Sequence, residues 1–300
     1  MFFICLCFSI GAIFPGGQSQ DGSNQRQQLI PVPSSPSRTQ DFFNEALLAM
    51  ERAFVENDEV TPQDLYYLGR AVASDILAQY KLYTANPELT NYINLVCQAI
   101  LINSPQIELY NGSQAAILDT PIINAFATPG GHIFLTKGLV EAVTSEDMLA
   151  AVIAHELAHI ELRHSLSIVR EMEFFYQMTG IANQAADFAG RDSVEVQRLM
   201  SFRQSVSYIS ETVLKNGYSR QHEFEADRRA LTLLAAAGYD PLALLEVMMM
   251  LEREDNFSMI ELNSTHPSPW ERFSNLEAAV RLYRVPDTRE YRVARFNAFN

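Results

Sequence analysis

The 300-residue chain is short of tryptophan, cysteine and basic side chains. It has one Trp and three Cys, and Lys+Arg 22 against Asp+Glu 36 gives a formal net charge of −14. Each shortage excludes something. A chain this acidic lacks the clustered Lys and Arg that hold a phosphate backbone, which sets nucleic acid aside, and it does not coat an anionic membrane by charge alone. Cys5 and Cys7 sit together near the start, in no lipidation context, and leave Cys97 without an internal disulfide partner, so cysteine usage does not set the compartment. Cys97 lies in an apolar run and reads as a small buried thiol. Past the N-terminus no stretch of about 18 consecutive apolar residues occurs, so no later helix spans a bilayer. What is there is globular in composition: 48% hydrophobic and 19% charged residues.

Residues 1–14 are apolar throughout, the length of a secretory h-region, although no basic residue precedes them and no small-residue cleavage site follows. The expectation is a signal peptide or N-terminal anchor over residues 1–17, with a buried first helix or strand as the alternative. Residues 18–40 are rich in Pro, Ser and Gln and read as a flexible linker. A folded domain is expected over 41–284, with helices in 41–104, a sheet in 105–136 and helices in 137–284; residues 285–300 form a tail. Phe43, Leu47, Met50 and Phe54 recur at helical spacing after Asp41 as a cap, and Thr61-Pro62 opens a second helix running to about Tyr83. A third covers residues 88–103. Short strands are expected at 107–110, 115–118 and within 122–135, separated by Asn111-Gly112 and Pro129-Gly130-Gly131 turns. The fold class is therefore α+β: mostly helical, with one small antiparallel sheet.

The chemically informative segment is His155-Glu156-Leu157-Ala158-His159, within a helix starting near Ser145. Four residues turn a helix by about 400°, so the two imidazoles project the same way and can share one Zn²⁺, with Glu156 beside them to act on a metal-activated water. The spacing His-x-x-Gly-x-x-His does not continue the motif, because Leu162 and Ser165 occupy the required places. A third ligand must come from elsewhere. Glu223 and Asp227, four apart on a helix expected over 219–237, share a face; one carboxylate can ligate while the other accepts the N–H of a ligating histidine. Glu225 falls on the opposite side and reads as solvated.

These residues resemble the HtpX-like gluzincin metallopeptidases, a group that includes the CAAX prenyl proteases and the BepA-type quality-control proteases. His-Glu-x-x-His is followed some sixty residues on by Glu223-x-x-x-Asp227. Residues 124–134, Asn-Ala-Phe-Ala-Thr-Pro-Gly-Gly-His-Ile-Phe, match the family's edge-strand motif. Thr265-His266-Pro267 through Arg272 matches its His-Pro segment. The resemblance implies a zincin-type fold with an edge strand beside the zinc helix. It implies one Zn²⁺ per chain held by His155, His159 and Glu223, with Glu156 as general base and Asp227 supporting a ligand. His266 would stabilise the oxyanion or occupy the fourth ligand position at rest, and Arg272 would support that segment or the oxyanion. Independently of the family, a glycine-rich hairpin beside a metal offers an unpaired edge to an extended substrate backbone, which makes Asn124, Ala125, Phe126, Gly130, Gly131 and His132 the substrate-binding candidates. His132 is equally readable as an exposed strand residue.

Other residues take plainer readings. His164, about 140° around the helix from His159, reads as a surface residue; His222 flanks the site; Met248-Met249-Met250 packs in a core. Residues 165–217 read as a helical hairpin packed on the core, or alternatively as a lid over the site or a surface touching a membrane or partner. The resulting expectation is a zinc endopeptidase, exported to the periplasm or cell envelope, acting on unfolded or misassembled proteins, with peripheral association with a membrane or an assembly machinery. The alternative is a catalytically quiet zinc protein that binds unfolded clients as a chaperone or adaptor.

Overall fold

A computed structural model describes residues 36–54, 59–170, 193–253 and 267–299. In chain order the elements are α1 (Pro36–Phe54), α2 (Pro62–Gln79), α3 (Pro87–Ile102), β1 (Gln114–Leu118), β2 (Ala125–Ala127), β3 (His132–Thr136), α4 (Lys137–Ala142), α5 (Glu146–Glu161), α6 (Ser193–Glu211), α7 (Arg220–Ala237), α8 (Leu242–Arg253), α9 (Pro269–Val280) and α10 (Arg289–Asn297). The expected leader and most of the linker lie outside the described residues. Among those described, no helix is long and apolar enough to cross a membrane.

The helix starts follow from local chemistry. Thr61 caps α2 through its hydroxyl, which accepts from Asp64 N–H, while Asp64 returns a bond to Thr61 N–H, and Pro62 fills the first helical position. Asn86 caps α3 through its side-chain oxygen, which accepts from Leu89 N–H, and Pro87 fills the first helical position, with no return bond. The first helix begins at Pro36, upstream of the expected cap at Asp41; proline's fixed φ suits a first turn, so part of the segment read as linker is helical.

The α+β class holds, with a correction to the sheet. Strand order is β1-β3-β2: β2 pairs antiparallel with β3, but β1 pairs parallel with β3, so the sheet is mixed. The outer edge of β2 is turned to α5, with Ala127 N–H directed at Glu156. β1 therefore pairs with the other edge of β3, and two strands running the same way become neighbours. Residues 107–110 form no strand; Ile107 is instead buried in the core.

Period-two alternation places the sheet between two helical layers. Ala115, Ile117, Ala127, Ile133 and Leu135 face a core built on α3, α5, α7 and α8, while Ala116, Leu118, Phe126 and Phe134 face one built on α1, α2 and α6. The turn between β2 and β3 presses onto α2. A Cβ on Gly69 would lie 1.6 Å from Pro129 O, and Gly130, at φ 73°, would bring one within 2.5 Å of the Tyr66 backbone. Glycine is required at both places by close approach.

Residues 193–214 pack through Phe202, Val206 and Ile209 on the α1–α2 layer; residues 171–192, the middle of the segment read as a helical hairpin or a lid, lie outside the described ones. The expected C-terminal tail is corrected. Residues 289–297 are helix α10, whose Phe296 is buried in the core and whose Arg292 and Arg295 reach Asp147 and Glu146.

Candidate metal centre

Helix α5 is opened by Ser145, whose hydroxyl accepts from Met148 N–H at 3.1 Å, with Glu146 and Asp147 in its first turn. Every residue from Glu146 to Ile160 is buried, so this Ala/Leu-rich helix runs through the middle of the molecule. Helix α7, capped by Ser219 and closed by Gly238 in the left-handed conformation, packs along it. The i, i+4 geometry puts His155 and His159 on one face of α5, and Glu223 and Asp227 on the facing side of α7.

The three expected ligands converge. His155 Nε2 and His159 Nε2 are 3.0 Å apart, and the Glu223 carboxylate lies 3.5 Å from the first and 3.6 Å from the second. Zinc bonds of about 2.0–2.2 Å at tetrahedral angles put ligand atoms roughly 3.3–3.5 Å from one another, so two imidazoles and a carboxylate fit the ion in chemistry and come within about 0.3 Å of its spacing. Among the described residues this is the one such group.

The ligands are themselves held. Asp227, fully buried, takes His155 Nδ1 at 3.0 Å, which turns Nε2 to the centre. Arg272 grips Asp227 with two bonds, 2.9 Å from Nε and 2.6 Å from Nη2, and its Nη1 stands 3.2 Å from Glu223. Its guanidinium thus ties α9 to Glu223 and Asp227 of α7. His159 Nδ1 lies 2.8 Å from His164 Nδ1, and Tyr218 stacks on the His159 ring at 4.1 Å.

The electrostatics suit a cation. Burial and Arg272 push the His155 pKa down, yet Asp227 and Glu223 together raise it to about 9. His159 is driven well below the ordinary value by burial and by His155, so it stays neutral and free to ligate. Burial is the largest influence on Glu156 and lifts its carboxyl to about 7, against His155, Arg272 and the Ala127 N–H. Asp227 is lowered despite burial, because Arg272 and His155 hold it ionised.

A cavity of about 150 Å³ opens over this cluster, bounded by Asn124, Ala125 and Phe126 on one side and by Gly217, Tyr218 and Arg272 on others. Asn124 and Thr128 turn their main-chain groups to β3, with Thr136 N–H on Asn124 O at 3.0 Å and Thr128 N–H on His132 O at 2.8 Å. By alternation Ala125 and Ala127 turn theirs outward, to the cavity side.

Gly130, Gly131 and His132 do not line it. The two glycines pack the hairpin on Tyr66 and Gly112, and His132 is 5% exposed, stacked on Tyr66 at 5.7 Å and 3.3 Å from the Thr128 hydroxyl. Neither an exposed strand position nor the cavity wall describes His132. His266 lies outside the described residues.

His164 departs most from its expected place. It is 3% exposed, because α5 stops at Glu161 and Arg163 adopts φ 54°, which voids the wheel arithmetic beyond that point. Glu225, read as solvated, is half-exposed and reaches His164 Nε2 at 3.4 Å, and His222 stacks on the His164 ring. Helical spacing alone could not have found His164; only the break at Arg163 brings it in.

Comparison with known proteins agrees with this centre. The model of Peptidase family M48 matches residues 86–280. The mitochondrial metalloendopeptidase OMA1 of Schizosaccharomyces pombe is 27% identical over 271 residues, covering 89% of this chain and 70% of that protein. The mitochondrial metalloendopeptidase OMA1 of Arabidopsis thaliana is 30% identical over 177 residues, 57% of this chain and 33% of that protein. The beta-barrel assembly-enhancing protease of Yersinia pestis is 26% identical over 205 residues, 63% of this chain and 38% of that protein. The chain thus spans well under half the length of the last two.

Proposed function

The chain belongs to peptidase family M48 and is a metalloendopeptidase; from that premise we propose that it is zinc-dependent and cleaves unfolded or misassembled envelope proteins in their quality control. The observation that carries the reading is the convergence of His155, His159 and Glu223 from two helices, with the buried Glu156 carboxylate beside them. Zinc is the ion of choice because imidazole and carboxylate ligands at this spacing match its preferred set. Relatives named for enhancing beta-barrel assembly support substrates of the envelope, and the apolar residues 1–14 support export.

Bound there, zinc would supply Lewis acidity, lowering the pKa of a water towards about 7 and polarising the scissile carbonyl. The protein's own residues do the rest. An extended substrate adds to the outward main-chain groups of β2 at Ala125, which reads backbone rather than side chain and suits unfolded segments. Glu156, raised to about 7 by burial, takes the attacking water's proton and hands it to the leaving amine. Asp227 and Arg272 keep His155 aimed at the centre; Arg272 acts through Asp227 and Glu223.

The test is cleavage of unfolded casein by the zinc-loaded chain, with Glu156→Gln in parallel. The expected result is cleavage by the first and a loss of about 10²–10⁴-fold in the second, with zinc content unchanged. Equal cleavage by both would remove Glu156 as the base. Zinc retained by both with no cleavage by either would favour a client-binding protein over an enzyme.

A further inference from the structure

The end of α5 is built unusually. Leu162 closes the helix in the αR region, Arg163 turns left-handed at φ 54° with its N–H on Ile160 O at 3.1 Å, and residues 164–170 then resume a helix. A non-glycine residue at positive φ is uncommon and carries a backbone cost. Here the turn swings His164 beneath His159, the two Nδ1 atoms 2.8 Å apart.

Proton placement in that contact is constrained. One Nδ1 must donate and the other accept. If His164 donated, the His159 proton would sit on Nε2, facing His155 Nε2 at 3.0 Å and Glu223 at 3.6 Å, and no ion could bind there. If His159 donates, its Nε2 lone pair faces the centre and the proton of His164 must sit on its own Nε2. That atom points at Glu225 Oε2, 3.4 Å away, and the other oxygen of Glu225 is held by Gln221 Nε2 at 2.8 Å. The ring planes are fixed as well, by Tyr218 on His159 and by His222 on His164 at 4.3 Å and 18°.

We propose that His164 is a positioning residue for the metal: anchored by Glu225, it accepts the Nδ1–H of His159 and fixes the tautomer that presents His159 Nε2 to the ion. The two ligand histidines are thus supported differently. His155 leans directly on the buried Asp227 carboxylate, and His159 on an imidazole relayed to a half-exposed one. The proposal rests on the reading of His159 as a zinc ligand.

It is tested on the full chain by zinc affinity, measured in competition with a chromophoric chelator, and by the visible spectrum of the cobalt-substituted protein. His164→Phe keeps the ring stack and removes the acceptor; zinc should bind about 10–100-fold more weakly and the cobalt bands should shift. His164→Asn, whose amide oxygen can accept the same proton, should recover most of the affinity. Leu166→Ala, at a buried residue just past the same turn that packs in the α1–α2–α6 core, should leave the spectrum in place. Unchanged affinity and spectrum in His164→Phe would overturn the relay. Should that variant not fold, Glu225→Ala decides: weaker zinc binding supports the relay, and wild-type binding overturns it. Failure of the wild-type chain to take up one zinc would overturn the metal site itself, a result distinct from both.

Discussion

His132 closes the turn between β2 and β3 as a neutral ring packed on Tyr66, with Thr128 as its hydrogen-bonding neighbour. Burial, and secondarily the nearby Arg70 charge, lowers its pKa from 6.5 to about 4, against a raising contact with the Pro129 backbone. The sign of the consequence follows from proton counts. Between about pH 6.5 and 4 the unfolded chain binds a proton at this site that the folded chain refuses, so stability is complete above 6.5 and is lost as pH falls towards 4. The full shift amounts to about 3 kcal/mol, and about 2 kcal/mol of it is lost between about pH 7.5 and pH 5. Denaturant unfolding at those two pH values should therefore show His132→Gln losing about 2 kcal/mol less than wild type on acidification. Parallel losses in the two proteins would refute the assignment. The same position shows where reading by residue type stops: a histidine after two glycines looks exposed until the hairpin is seen pressed against α2.

Helix α10 makes the corresponding point for elements. Its Arg292 Nε lies 2.9 Å from Asp147 and its Arg295 Nη2 2.5 Å from Glu146, so two cations of the C-terminal helix sit on the two acidic residues that open α5. Tyr92 and Tyr239 also donate to Glu146, and Phe299 stacks on Tyr92 at 4.4 Å. These bonds fix the N-terminal end of the helix that carries His155, Glu156 and His159. The Arg292–Asp147 pair is nearly enclosed, with side-chain exposures of 6% and 11%. Removing one partner of such a pair strands the other charge and costs about 3 kcal/mol or more. Arg292→Ala should lower the unfolding free energy by that order, and the double variant Arg292→Ala/Asp147→Ala should recover part of it. A loss under about 1 kcal/mol in the single variant, within the range of an exposed pair, would show that the clamp carries little. Nothing local announces α10 as a clamp, because a short helix rich in arginine reads as a solvated tail until its acidic partners, over 140 residues away, are in place.

At the scale of the molecule, the three residues that could hold a metal ion come from α5 and α7, two helices whose packing joins the sheet-facing core to the C-terminal part of the chain. An ion bound by both stabilises the folded state only, by about 2.7 kcal/mol at one hundred times its dissociation constant. Chelation should therefore lower the thermal midpoint by about 4–5 °C for a chain of this size. His159→Ala, which removes one ligand, should be insensitive to the chelator. A midpoint unmoved by chelator in wild type would mean that no ion bridges the helices.

Some of this was settled within a few residues of chain. The facing of His155 with His159, and of Glu223 with Asp227, is a property of helical pitch, and the starts at Ser145 and Ser219 are local capping bonds, so the residue pattern alone determined them. The α+β class followed from the same periodicities. Other features needed the assembled fold. β1 lies parallel to β3 because two helical layers bury both faces and the outer edge of β2 faces Glu156. His164 reaches His159 because Arg163 breaks the helix, and Arg272 serves Asp227 because α9 folds back over α7. Each joins residues through a backbone turn or an interface between distant segments, and helical or strand period carries no information across either.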